Sequence, residues 1–276
     1  MRSARSNDTT LPNFFITDMT DISSLTFTDL ETYIKSLGEP AFRAKQIYAW
    51  LSRGVMTFDG MTDISKSLRE KLHENCTLAT LEMRRRLVDP EDGTAKYLFA
   101  LSDGLLIETV VMKYKHGNSV CISSQVGCRM GCAFCASTLL GKERDLTAGE
   151  MLAQVAFANA DAGVTNVVVM GVGEPLDNFD NLCVFLENLH DPRGLNISHR
   201  HVSVSTCGIV PKIYELAEKR LQITLSVSLH APDDETRSQI MPINSAYNVE
   251  TLMKACDAYV AAHRKSRLPM GTLANG

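Results

Sequence analysis

The apolar positions of this chain follow two different periods. Between residues 27 and 78 they recur at helical spacing. Leu30, Tyr33, Ile34 and Leu37 predict a first helix that Thr28 caps near Asp29, with Glu31 completing a capping box and Gly38 ending it. After Pro40, AFRAKQIYAWLSRG predicts a second, with Phe42, Ile47, Trp50 and Leu51 inside and Arg43 and Lys45 outside. ISKSLREKLHENC, beyond the turn at Asp59–Gly60, predicts a third that ends in a small buried residue, Cys76. Residues 1–26 read as a polar leader. From residue 79 the period shortens toward two. LEMRRRLV, AKYLFAL and LLIETVVMKY, separated by turn signals at Asp89–Gly93 and Asp103–Gly104, predict an antiparallel meander over 79–118. Alternation turns Glu108 toward solvent, and Arg84, Arg85 and Arg86 cannot all share one face of a strand.

From 119 to 276, strand and helix patterns alternate. SVCISSQV, NVVVMGVG, HRHVSVSTCG and LQITLSVSLHA are the strands. Thr147 and Glu150 form a capping box at the start of TAGEMLAQVAFANADAG, which Gly163 stops. NFDNLCVFLENLH and VPKIYELAEKR are the next helices; a short turn follows Asp233, and a helix begins after Asn248. Alternating units of this kind predict a right-handed parallel sheet with helices outside. The fold class expected is α/β: a partial (β/α) barrel of about four units. The closing stretch RLPMGTLANG contains Pro269, two glycines and little β-branched content where a fifth strand is due, so the barrel is expected to be incomplete.

Composition narrows the function only a little. The chain has 276 residues, 45% of them hydrophobic and 22% charged, which suits a globular protein with a sizeable core. A net charge of -4 gives no global basic field, so a nucleic-acid partner would need local patches. The helical unit is balanced, with seven Lys/Arg against seven Asp/Glu. The N-terminus carries no apolar signal region, and no membrane span is visible. Eight cysteines, clustered rather than spread, point to a reducing cytoplasm where thiols are ligands or catalysts.

The chemistry gathers at Cys121–Cys135, CISSQVGCRMGCAFC. Cys128, Cys132 and Cys135 stand in a C-x3-C-x2-C spacing on a glycine-bearing loop. Such a loop can hold three irons of a four-iron cluster and leave the last iron open to a reactant, since the usual complement is four cysteines. A structural zinc site with Cys121 as the fourth ligand is the alternative, but zinc usually takes its ligands as two separated knuckles. Active sites of parallel α/β folds lie at the C-terminal strand ends. The other notable residues fall there: Gly173 and Glu174 in MGVGEP, Ser205 in STCG, and Ser228, Leu229 and His230. Alone, each is as readily a turn former or a structural residue.

Taken together, LGEPAFRAKQIYAWL, IETVVM, CISSQVGCRMGCAFC, MGVGEPLDN, VSVSTCGIVP and LSVSLHAPDDETRSQIMPIN resemble the RlmN family of dual-specificity RNA methyltransferases, within the radical S-adenosylmethionine superfamily. The resemblance runs from residue 27 to about 244 and implies the barrel type of that superfamily. It implies a [4Fe–4S] cluster on Cys128, Cys132 and Cys135, and S-adenosylmethionine held by Gly173, Glu174, Ser205 and Ser228 to His230. It implies methylation of adenosine C2 in 23S rRNA and in some tRNAs, a one-electron donor such as flavodoxin or ferredoxin, and a monomer. The unit at 27–78 would then be the RNA-recognition appendage. Glu108 matches the family's proton acceptor, against the solvent reading. Cys121 matches the cysteine that resolves a methylcysteine-linked RNA adduct by forming a disulfide. The methyl-carrying cysteine itself has no match, because Cys256 is the last cysteine of the sequence. Two other readings stand beside C2 methylation: a Cfr-like methyltransferase acting at C8, which carries the same motifs, and a non-catalytic cluster- or RNA-binding fragment, which that departure favours.

Overall fold

The computed structural model describes residues 19–115 and 117–264. The predicted leader up to residue 18 and the closing RLPMGTLANG lie outside these. A helical unit comes first: β1 (Thr20–Asp21), α1 (Phe27–Ser36), α2 (Phe42–Ser52), α3 (Lys66–Asn75) and β2 (Cys76–Thr77), with β1 and β2 paired in parallel. It has its own apolar centre around Ile22, Leu30, Ile34, Ile47, Phe58 and Leu68. Truncating one of these to alanine should cost about 2–5 kcal/mol.

Two details differ from the periodicity. Thr26, not Thr28, caps α1: its hydroxyl accepts the amide of Asp29 (3.2 Å) and donates to the Asp29 carboxylate (2.6 Å). The reciprocal backbone bond expected of Glu31 does not form; Asp29 meets the Thr26 hydroxyl instead, and Phe27 lies edge-on to Tyr48. In α2 the buried positions are Ala44, Ile47 and Tyr48, while Phe42 is exposed. Tyr48 replaces it inside because its hydroxyl reaches a buried partner in the next unit.

The main sheet follows: β3 (Glu82–Val88), β4 (Ala95–Ala100), β5 (Leu106–Tyr114) and β6 (Gly117–Ile122). The predicted strand SVCISSQV breaks after Ile122, and its remainder pairs as β7 (Gln125–Gly127) with β8 (Lys142–Asp145). Then come α4 (Ala148–Ala162), β9 (Val164–Val169), α5 (Phe179–His190), β10 (Val202–Thr206), α6 (Val210–Lys219), β11 (Thr224–Val227), α7 (Asp234–Ile240) and α8 (Val249–Arg264). The seven strands run in the order β11-β10-β9-β6-β5-β4-β3. The four from β6 to β11 are parallel and form the partial barrel; β3 to β6 are antiparallel. The meander is therefore continuous with the barrel sheet, sharing β6.

Val120, Ile122, Val167, Val169, Val202 and Val204 are buried on the helix-covered face, whereas Cys121, Val168, Ser203 and Ser205 on the other face are partly exposed. The capping box of α4 forms as expected. The helical unit adds to it, because the Ser24 hydroxyl accepts the amide of Gly149 (2.9 Å) and Thr147 donates to Asp21 (3.3 Å). A β-carbon at Gly149 would lie 2.7 Å from that of Ser23, so the close approach requires glycine. Asn188 of α5 completes the junction. It accepts from the Tyr48 hydroxyl (3.1 Å) and donates to the Leu25 carbonyl (2.9 Å). Among the described residues no helix is long and apolar enough to cross a membrane.

Candidate functional site

One row of cross-strand neighbours traverses the whole sheet: Leu87, Lys96, Val110, Cys121, Val168, Ser203 and Thr224. All lie on the face turned away from the helices. Glu108 is two residues along β5 from Val110, so it shares that face with Cys121. Its carboxylate pairs with Lys96 at 2.6 Å, and the pair is partly exposed. Arg85 faces Leu98, the neighbour of Glu108, on the same side. Arg86 instead faces Tyr97 and pairs with Asp161 (3.3 Å). A register irregularity leaves Arg84 unpaired in the ladder, where it meets Glu82 (2.9 Å). Burial pushes the Cys121 thiol up, opposed by a backbone hydrogen bond at Met170.

The cysteine loop spans β7 and β8. The Cys128 amide donates to the Gly141 carbonyl (3.0 Å), the Cys135 amide to the Cys132 carbonyl (3.1 Å), and the Ala133 amide to the Ile240 carbonyl (2.9 Å). Cys128 and Cys132 are buried, Cys135 is half-buried, and all eight cysteines are free thiols. Burial raises the thiols of Cys128 and Cys132, and the negative charges of Glu174 and the other loop cysteines push the same way. A positively charged group among them would relieve that repulsion. Among the described residues, no group of His, Cys, Asp or Glu surrounds a single ion position. Tetrahedral zinc would gather its ligands at about 2.3 Å from one centre. In a four-iron cluster each cysteine holds a different iron, which suits three cysteines spaced C-x3-C-x2-C along one loop and leaves one iron open. Cys121, the fourth ligand of the zinc alternative, sits in mid-ladder on β6.

The loop is anchored by Asp177, which the sequence reading did not single out. Its carboxylate receives Arg129, Lys142 (2.9 Å) and Gln125 (3.0 Å). Burial opposes its ionisation, yet these three donors outweigh burial and hold the carboxyl below its ordinary range. The available signal was the LDN that closes MGVGEPLDN.

The strand ends converge beside the loop. Gly173 is left-handed, and a β-carbon there would lie 2.5 Å from that of Gln125. The Glu174 amide donates to Gln125 (2.8 Å). Its buried carboxylate accepts the amides of Leu176 (3.0 Å) and Cys207 (2.7 Å), tying β9 to β10, and burial raises its pKa. Ser205 pairs with Ser226 across β10 and β11 on the open face, and the Ser228 amide donates to the Thr206 carbonyl (2.9 Å). His230 has a left-handed backbone (φ 58°), and its ring meets the exposed Phe134 edge-on at 4.7 Å. The Leu229 carbonyl receives Arg237. The expected residues thus lie on one edge and one face of the sheet, except that the Glu174 oxygens are already engaged by backbone amides.

A parallel half-barrel with a three-cysteine loop at its strand ends defines a radical S-adenosylmethionine protein. The model of that superfamily matches residues 122–272, and the model of the ribosomal RNA large subunit methyltransferase N-terminal domain matches residues 17–78. A probable dual-specificity RNA methyltransferase RlmN of Lachnospira eligens is 56% identical over 88% of this chain and 70% of its own length. One from Thermoanaerobacter sp. is 50% identical over 90% and 73%. The crystal structure of a radical SAM methyltransferase from Sphaerobacter thermophilus superposes with a TM-score of 0.84 at 41% identity, covering 89% of this chain and 74% of that one. The chain belongs to the RlmN family. Its cofactors are a [4Fe–4S] cluster and S-adenosylmethionine.

Proposed function

We propose that this site serves methylation of adenosine at C2 in 23S rRNA and tRNA. Cys128, Cys132 and Cys135 would hold the cluster, and Gly173, Glu174, Ser205 and the run Ser228 to His230 would bind S-adenosylmethionine. When bound, the pair supplies reductive one-electron chemistry that ordinary side chains lack. A low-potential donor such as flavodoxin or ferredoxin would provide the electron.

The observation that carries this reading is the placement of Glu108 and Cys121 on one open face, beside the cysteine loop. Glu108 would accept the C2 proton of the adenine, with Lys96 holding its carboxylate in place. Cys121, as thiolate, would attack the sulfur of a methylene-linked RNA adduct. The S–S bond forms as the C–S bond breaks, the electron pair passes to the methylene carbon of the base, and that carbon takes up a proton to complete the methyl group. The sulfur it attacks belongs to a relay cysteine. Cys183 and Cys256 lie in α5 and α8, packed against the helix-side core, so neither is placed for that role. Cys76 is buried in the helical unit and Cys207 packs in one cluster with Cys132, so no cysteine among the described residues is assigned that role. The helical unit at 27–78 would recognise RNA, and the open face of β3 to β5, with Arg85 at its rim, would guide the strand to the site.

The test is an anaerobic assay of the reconstituted chain with S-adenosylmethionine and dithionite, measuring 5′-deoxyadenosine and the methylated nucleosides of added RNA. Formation of 5′-deoxyadenosine without 2-methyladenosine is expected. Cluster-loaded chain that yields no 5′-deoxyadenosine would overturn the cofactor assignment. A C8 product would assign the site to Cfr-like chemistry instead.

A further inference from the structure

Arg237 is the largest fully buried side chain among the described residues. Burying an arginine is costly unless a carboxylate or phosphate neutralises it. Its guanidinium instead donates to neutral acceptors: the carbonyls of Leu229 (3.1 Å), Cys207 (2.7 Å) and Ser228 (3.5 Å), and Asn244 Oδ1 (2.8 Å). It makes no ion pair among the described residues. The nearest acid on its own helix, Asp234, is occupied by Asn244 (3.0 Å) and the Val249 amide (2.8 Å).

What lies on the other side is the cysteine loop. Cys132, Cys207 and Met241 form one buried cluster, with Cys135, Met130 and Ile240 packed against it. Ala133 hydrogen-bonds to Ile240, and the Gly131 position is in van der Waals range of Pro242. The segment carrying Arg237 is thus the floor of the loop. The cation touches Cys207, which touches Cys132. Glu174, also buried, adds a carboxylate to the same region.

We propose that Arg237 is the counter-charge of the iron–sulfur cluster, setting its reduction potential. This rests on the three cysteines being cluster ligands. Three thiolates on a [4Fe–4S] core with a formal 2+ charge leave a net negative group, and uptake of one electron makes it more negative. A fixed buried cation stabilises the reduced form more than the oxidised one. At an effective dielectric of about 20, one charge changes the equilibrium tenfold out to roughly 12 Å. The cation in α7, bonded only to neutral acceptors, and the excess negative charge in the loop account for each other.

The experiment is a mediated redox titration of the reconstituted full chain, followed by EPR, with dithionite as electron source and iron content measured in parallel. Arg237→Gln removes the charge and keeps a donor. Arg237→Lys keeps the charge and loses the planar fork. Asn244→Asp places a carboxylate against an unaltered Arg237. Arg237→Gln and Asn244→Asp are expected to weaken one-electron reduction at least tenfold, about 59 mV. Arg237→Lys should stay within about threefold of wild type, because the charge survives. Retention of iron by Arg237→Lys but not Arg237→Gln also supports the proposal. Equal potentials throughout, equal shifts in Lys and Gln, or equal loss of iron from both would make Arg237 a strut for strand-end carbonyls and overturn it. Wild-type chain that takes up no four-iron cluster would instead overturn the cluster assignment.

Discussion

Lys96 Nζ lies 2.6 Å from Glu108 Oε1, across β4 and β5, on the face that also carries Cys121. Both partners are close to half exposed, so water screens the pair. A double-mutant cycle with Lys96→Met and Glu108→Gln should give a coupling of about 0.2–1 kcal/mol by urea unfolding, smaller at high salt. A coupling several times larger would mean a buried pair and a carboxylate closed to substrate.

Asp177 draws Arg129, Lys142 and Gln125 onto one buried carboxylate. Asp177→Asn keeps the size and removes the charge. It should destabilise the chain by about 1.5–3 kcal/mol, the range for hydrogen bonds to a charged group. It should also lower the iron retained after reconstitution. Wild-type iron content with unchanged unfolding would show that the loop holds its shape without this anchor.

Asn188 satisfies Tyr48 and Leu25 from across the junction of the helical unit and the barrel. Asn188→Ala leaves the Tyr48 hydroxyl only the long bond to the residue-188 carbonyl (3.4 Å) and takes the donor from the Leu25 carbonyl, and should cost about 1–3 kcal/mol. Tyr48→Phe with Asn188→Ala should recover part of that, since the hydroxyl is then absent. Chemical denaturation of the single and double variants checks it.

His199 is half-buried, with Nε2 2.9 Å from the Leu186 carbonyl. Burial lowers its pKa below the ordinary 6.5, its hydrogen bond opposes this, and His190 adds to the lowering. The unfolded chain therefore binds more protons around that pH. The contribution is fully present above pH 6.5 and shrinks as pH falls through the folded value. Thermal melts should show stability declining from pH 7 toward 5, and His199→Asn should flatten that part of the profile.

Arg85 stands opposite Leu98 on the open face, at the rim of the sheet. If RNA runs over this face, Arg85→Glu should weaken binding of an RNA hairpin. It should also reduce the slope of log affinity against log salt by about 0.7–0.9. Fluorescence anisotropy at several salt concentrations reads both. An unchanged slope would move the RNA path elsewhere.

The sequence by itself determined what is local. The C-x3-C-x2-C spacing, the Thr147–Glu150 capping box, the helical period of α3 and the alternation of β10 are all written within a few residues, because side-chain period and cap chemistry act at short range. Even there, two threonines two residues apart offer the same cap chemistry, and Thr26 rather than Thr28 takes it. Only the tertiary structure decided the rest. Periodicity could say that Glu108 alternates outward, but not that its outward face also bears Cys121, which depends on β5 pairing with β6 and β6 with β9. Nothing near Arg237 in the sequence marks it as buried, since exposed arginines are the rule. Its place follows from α7 packing beneath a loop about a hundred residues earlier, where the negative charge that its own neighbours lack is concentrated.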